Sequence, residues 1–331
     1  MDLSIIVPIY NVEEHIRPCI NSIFHQNLDE NRFEVILVND GTKDRSMEVI
    51  QDIIGKHKNI TVINQENQGL SVARNIGIKN SKGKYIFMID PDDLLIKNSL
   101  KPLLEKALKT NVDMIVADFL SMNNHEIEEM HLHIPKQLEP VYEEKTGKQL
   151  FLEYLSPYHC YVWRTLYKRE FIISQSLFFY SGIRYQDIPF THECYIKANN
   201  CIKTNIILII YRRWSGSSTN LYDINKAKDY IIALAKTWSL RQIVGLPSNL
   251  SYKLEEDVYI SFRTLLYHTL HNIEHQSERN KIMDLLNYHF PDLNFTHSIK
   301  QRFITILIKK MPYFFINLYY LYAHLFFKNK G

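Results

Sequence analysis

The residues best suited to chemistry stand at the end of one short run, Ile86-Phe87-Met88-Ile89-Asp90-Pro91-Asp92-Asp93. Four apolar residues lead straight into three carboxylates. A continuous apolar run of this kind reads as a strand buried on both faces. In open α/β sheets, ligands collect where such strands end. Carboxylates this close repel one another unless protons or a cation offset their charge. Hard divalent ions take oxygen ligands and also bind substrate phosphates. The run therefore reads as a metal-assisted nucleotide site. The plainer alternative is a solvated turn, because Pro and Asp are ordinary turn residues.

Other runs must place those carboxylates. Leu3–Ile9 is a β-branched run ending at Tyr10-Asn11, and Phe33–Val38 stops at Asn39-Asp40-Gly41-Thr42. A third strand is expected at Ile60–Ile63. Helices are expected around Ile16–Phe24, over 44–54 and around Leu70–Ile78. Strands alternating with helices of about a dozen residues mean parallel βαβ units, with strand ends at one edge of the sheet. A helix over 98–109 and a strand over 113–118 complete a nucleotide-type α/β sheet in the first 120 residues. Within it, Asp40 can accept hydrogen bonds from a base or ribose, although Asp-Gly is also a common turn. Arg74, on the helix before the acidic strand, can brace the carboxylates, touch the nucleotide or form a structural salt bridge.

Farther on the pattern loosens. Asn123–Glu129 mixes His and Glu as a metal site would, but no ligand spacing repeats and it reads as a solvated loop; a helix is expected to begin near Trp163, and 206–211 is a strand candidate. From about Ile224 the chain turns mostly helical. Its 331 residues, 46% of them hydrophobic, exceed one average domain. A net charge of +3 is too small to argue for nucleic acid. Cys19, Cys160, Cys194 and Cys201 show no CxxC pairing, which speaks against a zinc site or disulfide framework and fits a reducing compartment. The first residues read as a core strand rather than a leader, so the expected location is cytoplasmic. After Asp292 there is no acid, while Lys300, Arg302, Lys309, Lys310, Lys328 and Lys330 surround the aromatic stretch 311–327. That stretch is short for a spanning helix, which needs about 20 apolar residues. It fits in-plane binding to an anionic membrane surface, or else a helix packed on the protein.

Four segments carry a resemblance. Ser4-Ile5-Ile6-Val7-Pro8-Ile9-Tyr10-Asn11, Val38-Asn39-Asp40-Gly41-Thr42, Glu66-Asn67-Gln68-Gly69-Leu70-Ser71-Val72-Ala73-Arg74-Asn75-Ile76-Gly77 and Asp90-Pro91-Asp92-Asp93 together resemble family 2 glycosyltransferases of the GT-A fold, of the kind that assembles bacterial polysaccharides. The resemblance implies a GT-A domain over 1–220, a Rossmann-like and mostly parallel sheet flanked by helices, with a mainly helical region over 221–331. It implies a nucleotide-sugar donor, usually a UDP-sugar, near Pro8, Tyr10, Asp40, Asn67, Arg74 and Asp90, with Asp40 on the base. Asp92 would be the direct ligand of Mn²⁺ or Mg²⁺. Asp90 would sit on ribose or a metal-bound water, and Asp93 on the sugar or acceptor side. Pro91 replaces a more usual small residue, and Thr42 stands where Ser is common; neither removes a functional group.

Past residue 150 the likeness thins. Val162–Lys168 is similar to a tryptophan-containing segment of these enzymes. Tyr185-Gln186-Asp187-Ile188-Pro189-Phe190 is similar to their Glu-Asp segment, whose aspartate is the catalytic base. Gln186 replaces the glutamate, and Asp187 keeps the carboxylate. Tyr211-Arg212-Arg213 with Gly216-Ser217 is similar to a basic segment facing the diphosphate. Trp163 either stacks on a sugar ring or fills a Tyr-rich core. Inverting transfer needs a carboxylate to take the acceptor hydroxyl's proton, here Asp187, with Glu193 as the next candidate. It also needs cations against the charge of the leaving diphosphate, here the ion on Asp92 together with Arg212 or Arg213. A phosphohydrolase would carry its DxD after the first strand, and a nucleotidyltransferase would carry a Gly-rich loop there. The non-enzymatic alternative is a sugar-nucleotide or glycan-binding protein. The expected function is an inverting, metal-dependent glycosyltransferase acting on a hydroxyl of a surface glycan or lipid-linked oligosaccharide.

Overall fold

The computed structural model describes residues 1–130, 139–214 and 222–327, apart from the side chains of 130 and 322–327. The chain runs β1 (Leu3–Ile9), α1 (Ile16–Phe24), β2 (Phe33–Asn39), α2 (Gln51–Lys56), β3 (Ile60–Asn64), α3 (Leu70–Asn80), β4 (Tyr85–Met88) and β5 (Leu94–Leu95). It continues through α4 (Leu100–Thr110), β6 (Met114–Asn123), α5 (Asn124–Met130), β7 (Tyr142–Lys145), α6 (Gly147–Glu153), β8 (Thr165–Lys168), α7 (Arg169–Ser174), α8 (Asp187–Lys197) and β9 (Cys201–Arg213). The helices α9 (Ile224–Ser239), α10 (Ser248–Asn272), α11 (Gln276–His289), α12 (Ile299–Lys310) and α13 (Pro312–Phe327) follow.

The strands form one nine-stranded sheet in the order β3-β2-β1-β4-β8-β6-β9-β5, with β7 paired to β9. β1 is parallel to β2 and β4, and β2 to β3, as the alternation of strands and helices requires. Every residue of β1 and β4 is buried, because helices cover both faces. Leu3, Ile5, Val7 and Ile9 share a core with Ile16, Ile20 and Ile23 of α1. Ile6 lies under Gly77 of α3 on the other face. Each such aliphatic side chain stabilises the fold by about 1.5–3 kcal/mol when fully buried.

Three local expectations are corrected. The expected helix over 44–54 begins late, as a 3₁₀ turn over Glu48–Ile50 leading into α2. The Asp44 carboxylate accepts the N–H groups of Ser46 and Glu13, both at 3.0 Å, and so holds the preceding residues out of the helix. Near Trp163 there is only a 3₁₀ turn over Val162–Arg164; β8 then inserts antiparallel between β4 and β6. Leu166 and Tyr167, both 0% exposed, hold it there. Asn123–Glu129 is largely helix α5 rather than a loop. Asn123 Oδ1 accepts the Glu126 N–H at 3.0 Å, and Glu126 Oε2 accepts the Asn123 N–H at 2.6 Å. That reciprocal pair is the hydrogen-bond pattern of a capping box.

The chain groups into two compact units. The first comprises residues 1–154, 161–182 and 190–217; the second comprises 155–160, 183–189 and 218–331. The sheet belongs to the first. The second is mainly helical, and Phe295 centres one of its aromatic groups, meeting Tyr259 at 4.9 Å, Phe262 at 5.6 Å and Trp238 at 5.7 Å between ring centroids.

Gly83 enters β4 against the backbone of β1. A Cβ there would lie 2.4 Å from the Leu3 carbonyl carbon and 2.5 Å from the Ser4 nitrogen. The Gly83 N–H donates to Ser4 Oγ at 2.8 Å, and that hydroxyl donates to the buried Glu34 carboxylate at 2.7 Å. Gly83→Ala is expected to lower stability by about 2 kcal/mol through overpacking, seen as a lower urea midpoint. Gly55→Ala is the control, since its Cβ would meet nothing within 4 Å.

Candidate active site

Within the sheet unit, Ile9 pairs with Asn39 and Ile6 with Met88. The Asp40 N–H donates to the Ile9 carbonyl at 3.0 Å, and the Ile89 N–H to the Ile6 carbonyl at 3.1 Å. Parallel order thus brings Tyr10, Asp40 and Asp90 to one sheet edge. Pro8 is buried in β1 where the ladder to β4 has ended, a position that tolerates a missing N–H. Tyr10 is exposed at the open edge.

Asp40 is 3% exposed, and its carboxylate faces the segment before α3. Oδ1 accepts Gln65 Nε2 at 2.6 Å and the Gln68 N–H at 2.8 Å. Oδ2 accepts the Gly69 N–H at 2.9 Å and Asn67 Nδ2 at 3.3 Å. A carboxylate has about four lone-pair positions, so these donors fill it. The base contact implied for Asp40 would require one of them to leave. Asn67 itself is spent on Asp40, donating also to its carbonyl at 3.1 Å. Gly41 makes the close approach: its φ is +67°, and a Cβ would lie 3.0 Å from the Asn67 nitrogen.

The carboxylates at the end of β4 are each held differently. Asp90 pairs with Arg74, a guanidinium that is itself 2% exposed and stands 5.3 Å from the Phe179 ring centroid. Asp92 Oδ2 accepts the Trp214 indole N–H at 3.1 Å. Asp93 is 1% exposed; its Oδ1 accepts the Arg212 N–H at 2.9 Å, while Oδ2 has no hydrogen-bond partner among the described residues. The Arg212 side chain donates to the Asp92 carbonyl at 2.8 Å and to Asn124 Oδ1 at 2.7 Å. Burial, and then the neighbouring carboxylates, push the Asp92 and Asp93 carboxyls up, Asp93 well above the ordinary range. Three carboxylates thus face two guanidiniums among the described residues, those of Arg74 and Arg212, so their full negative charge is under-compensated by protein. Beneath the cluster, Cys19 Sγ lies 3.6 Å from the Asp90 carbonyl, its thiol pushed well up by burial and then by the carboxylates.

That surplus charge and the orphan Asp93 oxygen suit a hard divalent cation. Among the described residues, no three His, Cys, Asp or Glu side chains form a ready metal cage. None is needed by an ion that binds one or two carboxylates together with a substrate's phosphates.

Other expected site residues lie elsewhere. Trp163 is 2% exposed, stacked with Tyr161 at 4.6 Å and Tyr211 at 5.6 Å, with Phe119 at its edge at 5.1 Å. It is buried within this aromatic group, so it packs the core rather than offering a sugar platform. Arg213 is exposed and pairs with Glu126 at 3.1 Å. Gly216 and Ser217 fall outside the described residues. Asp187, itself in the second unit, is the first residue of α8, where an acid in the first turn complements the helix dipole. Glu193, farther along the same helix, is committed to Lys197 at 2.6 Å. Sequence reasoning missed Trp214, Asn124 and Gln65. The first gave no signal beyond its place after Arg212-Arg213, and the others read as ordinary polar loop residues.

Residues 4–173 match the family described as Glycosyl transferase family 2. The chain is 36% identical over 223 residues to the uncharacterized glycosyltransferase EpsJ of Bacillus subtilis (strain 168), covering 66% of this chain and 63% of that relative. It spans less than two thirds of EpsJ's length. Among solved structures, Staphylococcus aureus TarS 1-349 in complex with UDP-GlcNAc superposes with a TM-score of 0.68 at 19% identity, covering 93% of this chain and 87% of that 1-349 chain. Mannosyltransferase PcManGT of Pyrobaculum calidifontis, in complex with GDP-Man and Mn²⁺, superposes with a TM-score of 0.57 at 13% identity, covering 99% and 88%. The mixed sheet, the acidic end of β4 and the match over half the sequence agree: this GT-A-fold chain belongs to glycosyl transferase family 2.

Proposed function

We propose that the chain transfers a sugar, with inversion at the anomeric carbon, from a UDP-sugar to a hydroxyl of a surface glycan or lipid-linked oligosaccharide. The observation that carries this reading is the under-compensated carboxylate cluster Asp90, Asp92 and Asp93 at the end of β4, a strand parallel to β1. Fold neighbours solved with UDP-GlcNAc and with GDP-Man and Mn²⁺ support a nucleotide-sugar donor and a divalent ion. Asp92 and Asp90 would hold Mn²⁺ or Mg²⁺, which when bound supplies positive charge to offset the leaving diphosphate. Arg74 fixes Asp90, while Trp214 and Arg212 fix Asp92 and Asp93, so these carboxylates need little reorganisation. Arg213, exposed and tied only to Glu126 among the described contacts, is free to exchange that partner for a phosphate. Asp40 keeps the segment 65–69 against the strand ends, where the base would enter beside Pro8 and Tyr10. Asp187 takes the acceptor hydroxyl's proton. Glu193 is the weaker candidate, because it already pairs with Lys197. A place on the inner face of the cell membrane fits a lipid-linked acceptor.

Three substitutions separate these roles. Asp92→Asn should abolish the Mn²⁺-dependent part of UDP binding in calorimetry while the melting temperature holds; an unchanged metal dependence would remove Asp92 from the ion. Asp187→Asn should leave UDP and Mn²⁺ affinity nearly intact and lower turnover by roughly 10²-fold or more, the scale of general-base catalysis. Normal transfer in that variant would exclude Asp187 as the base. A parent chain that binds UDP yet neither transfers nor hydrolyses the donor sugar would be the binding protein instead. Asp40→Asn sets an NH₂ group against two N–H donors, whichever oxygen it replaces. It should lower stability by about 2 kcal/mol and weaken UDP binding with or without metal.

A further inference from the structure

The basic tail is expected either to pack on the protein or to lie on a membrane, and in the structure its helices pack by one face and leave the other exposed. α13 docks by Phe315 and Ile316, which are 6% and 0% exposed. Tyr313 donates to Asp284 at 2.6 Å, and the Arg279 guanidinium lies 3.7 Å from the Tyr320 ring centroid. α12 turns Thr305 and Ile308 inward. The opposite faces are apolar and bare. On α12 these are Ile299, Phe303 and Ile306, between 52% and 87% exposed; on α13 they are Phe314, Leu318 and Leu321, between 50% and 58% exposed. Both rows repeat at i, i+4, i+7, the spacing that keeps side chains on one helix face.

Cations border the first row. Lys300, Arg302, Lys309 and Lys310 are all exposed, and the chain carries no acid beyond Asp292. A second copy of the chain is a poor occupant: a two-fold interface sets a patch against itself and would bring these cations together with no acid on either helix to pair them. Among the described residues, no helix is long and apolar enough to cross a bilayer. An anionic lipid surface meets both features, burying the rows at the acyl boundary and pairing the cations with headgroups.

We propose that α12 and α13 form an in-plane docking face for anionic lipid, with Phe303, Ile306, Phe314 and Leu318 as the inserted side chains. The proposal rests on the reading of a membrane-side acceptor, but UDP affinity in the same preparations keeps the two apart, since none of the substituted residues belongs to the carboxylate cluster or to its hydrogen-bond partners given above. The test is cosedimentation of the full chain, and of the full chain carrying F303S, I306S, F314S and L318S together, with phosphatidylglycerol-rich vesicles and with neutral phosphatidylcholine vesicles. All four side chains are at least half exposed, so the variant should fold, which an unchanged melting temperature and UDP affinity would show. The parent chain is expected to pellet with the anionic vesicles, less at high salt. The variant should bind them at least about tenfold more weakly, the effect of losing even one buried large apolar side chain. A parent chain left in the supernatant, equal binding to neutral vesicles, or a variant that binds as well as the parent would each overturn the proposal. So would a concentration-dependent dimer in sedimentation velocity that the variant abolishes, which would assign the rows to a second copy.

Discussion

Like charge confined to four consecutive positions is the constraint on which the sheet unit depends. Asp90, Asp92 and Asp93 repel one another, and the chain would relieve that strain by turning them into water. The fold prevents it. Asp93 is pinned beneath the surface by the Arg212 N–H, and Asp90 is tied to a buried guanidinium. Removing one partner of such a buried pair typically costs about 3–5 kcal/mol, because the remaining charge is left uncompensated. The apolar bulk of β1, β2 and β4 supplies the stability that makes this arrangement tolerable.

The restraining groups come from far along the chain. Arg74 projects from α3, packed against β1 on the face where Gly77 meets Ile6. Arg212 and Trp214 come from the end of β9, a strand of 13 residues that pairs with β5, β6 and β7. Asn124 adds a third origin, the first turn of α5, which the Asn123–Glu126 cap starts at that place. The acidic end of β4 is therefore gripped by a helix on one side and a long strand on the other, so the geometry of the carboxylates follows from the packing of the whole sheet.

What could be read in advance follows from this. β1, β2 and β4 were legible because strands buried on both faces leave uninterrupted apolar runs, and Asp90 to Asp93 because acids seldom follow such runs without purpose. α5 was legible in principle: Asn123 and Glu126 have capping-box spacing, but the polar composition around them hid it. β8 was not legible, since Thr165–Lys168 is four residues long and its identity as a strand comes from β4 and β6 on either side. Nor was the fate of Trp163, for a stacking platform and a core filler have the same composition, and only its burial among Tyr161, Tyr211 and Phe119 decides between them. Asp40 shows the reverse case: its place after a core strand was visible, but not the four donors from 65–69 that occupy it.

The four cysteines are all free and all buried. Burial pushes the thiols of Cys19, Cys160 and Cys194 well up and that of Cys201 up to about 12. Thiolate is the form that attacks disulfides and meets oxidants, and at neutral pH almost none is present in the folded chain. Their scattered placement, which suits a reducing compartment, is thus equally compatible with an oxidising one once folding is complete. Oxidant therefore reaches these four thiols when the fold opens, so their reactivity marks the state of the fold rather than the compartment that holds it.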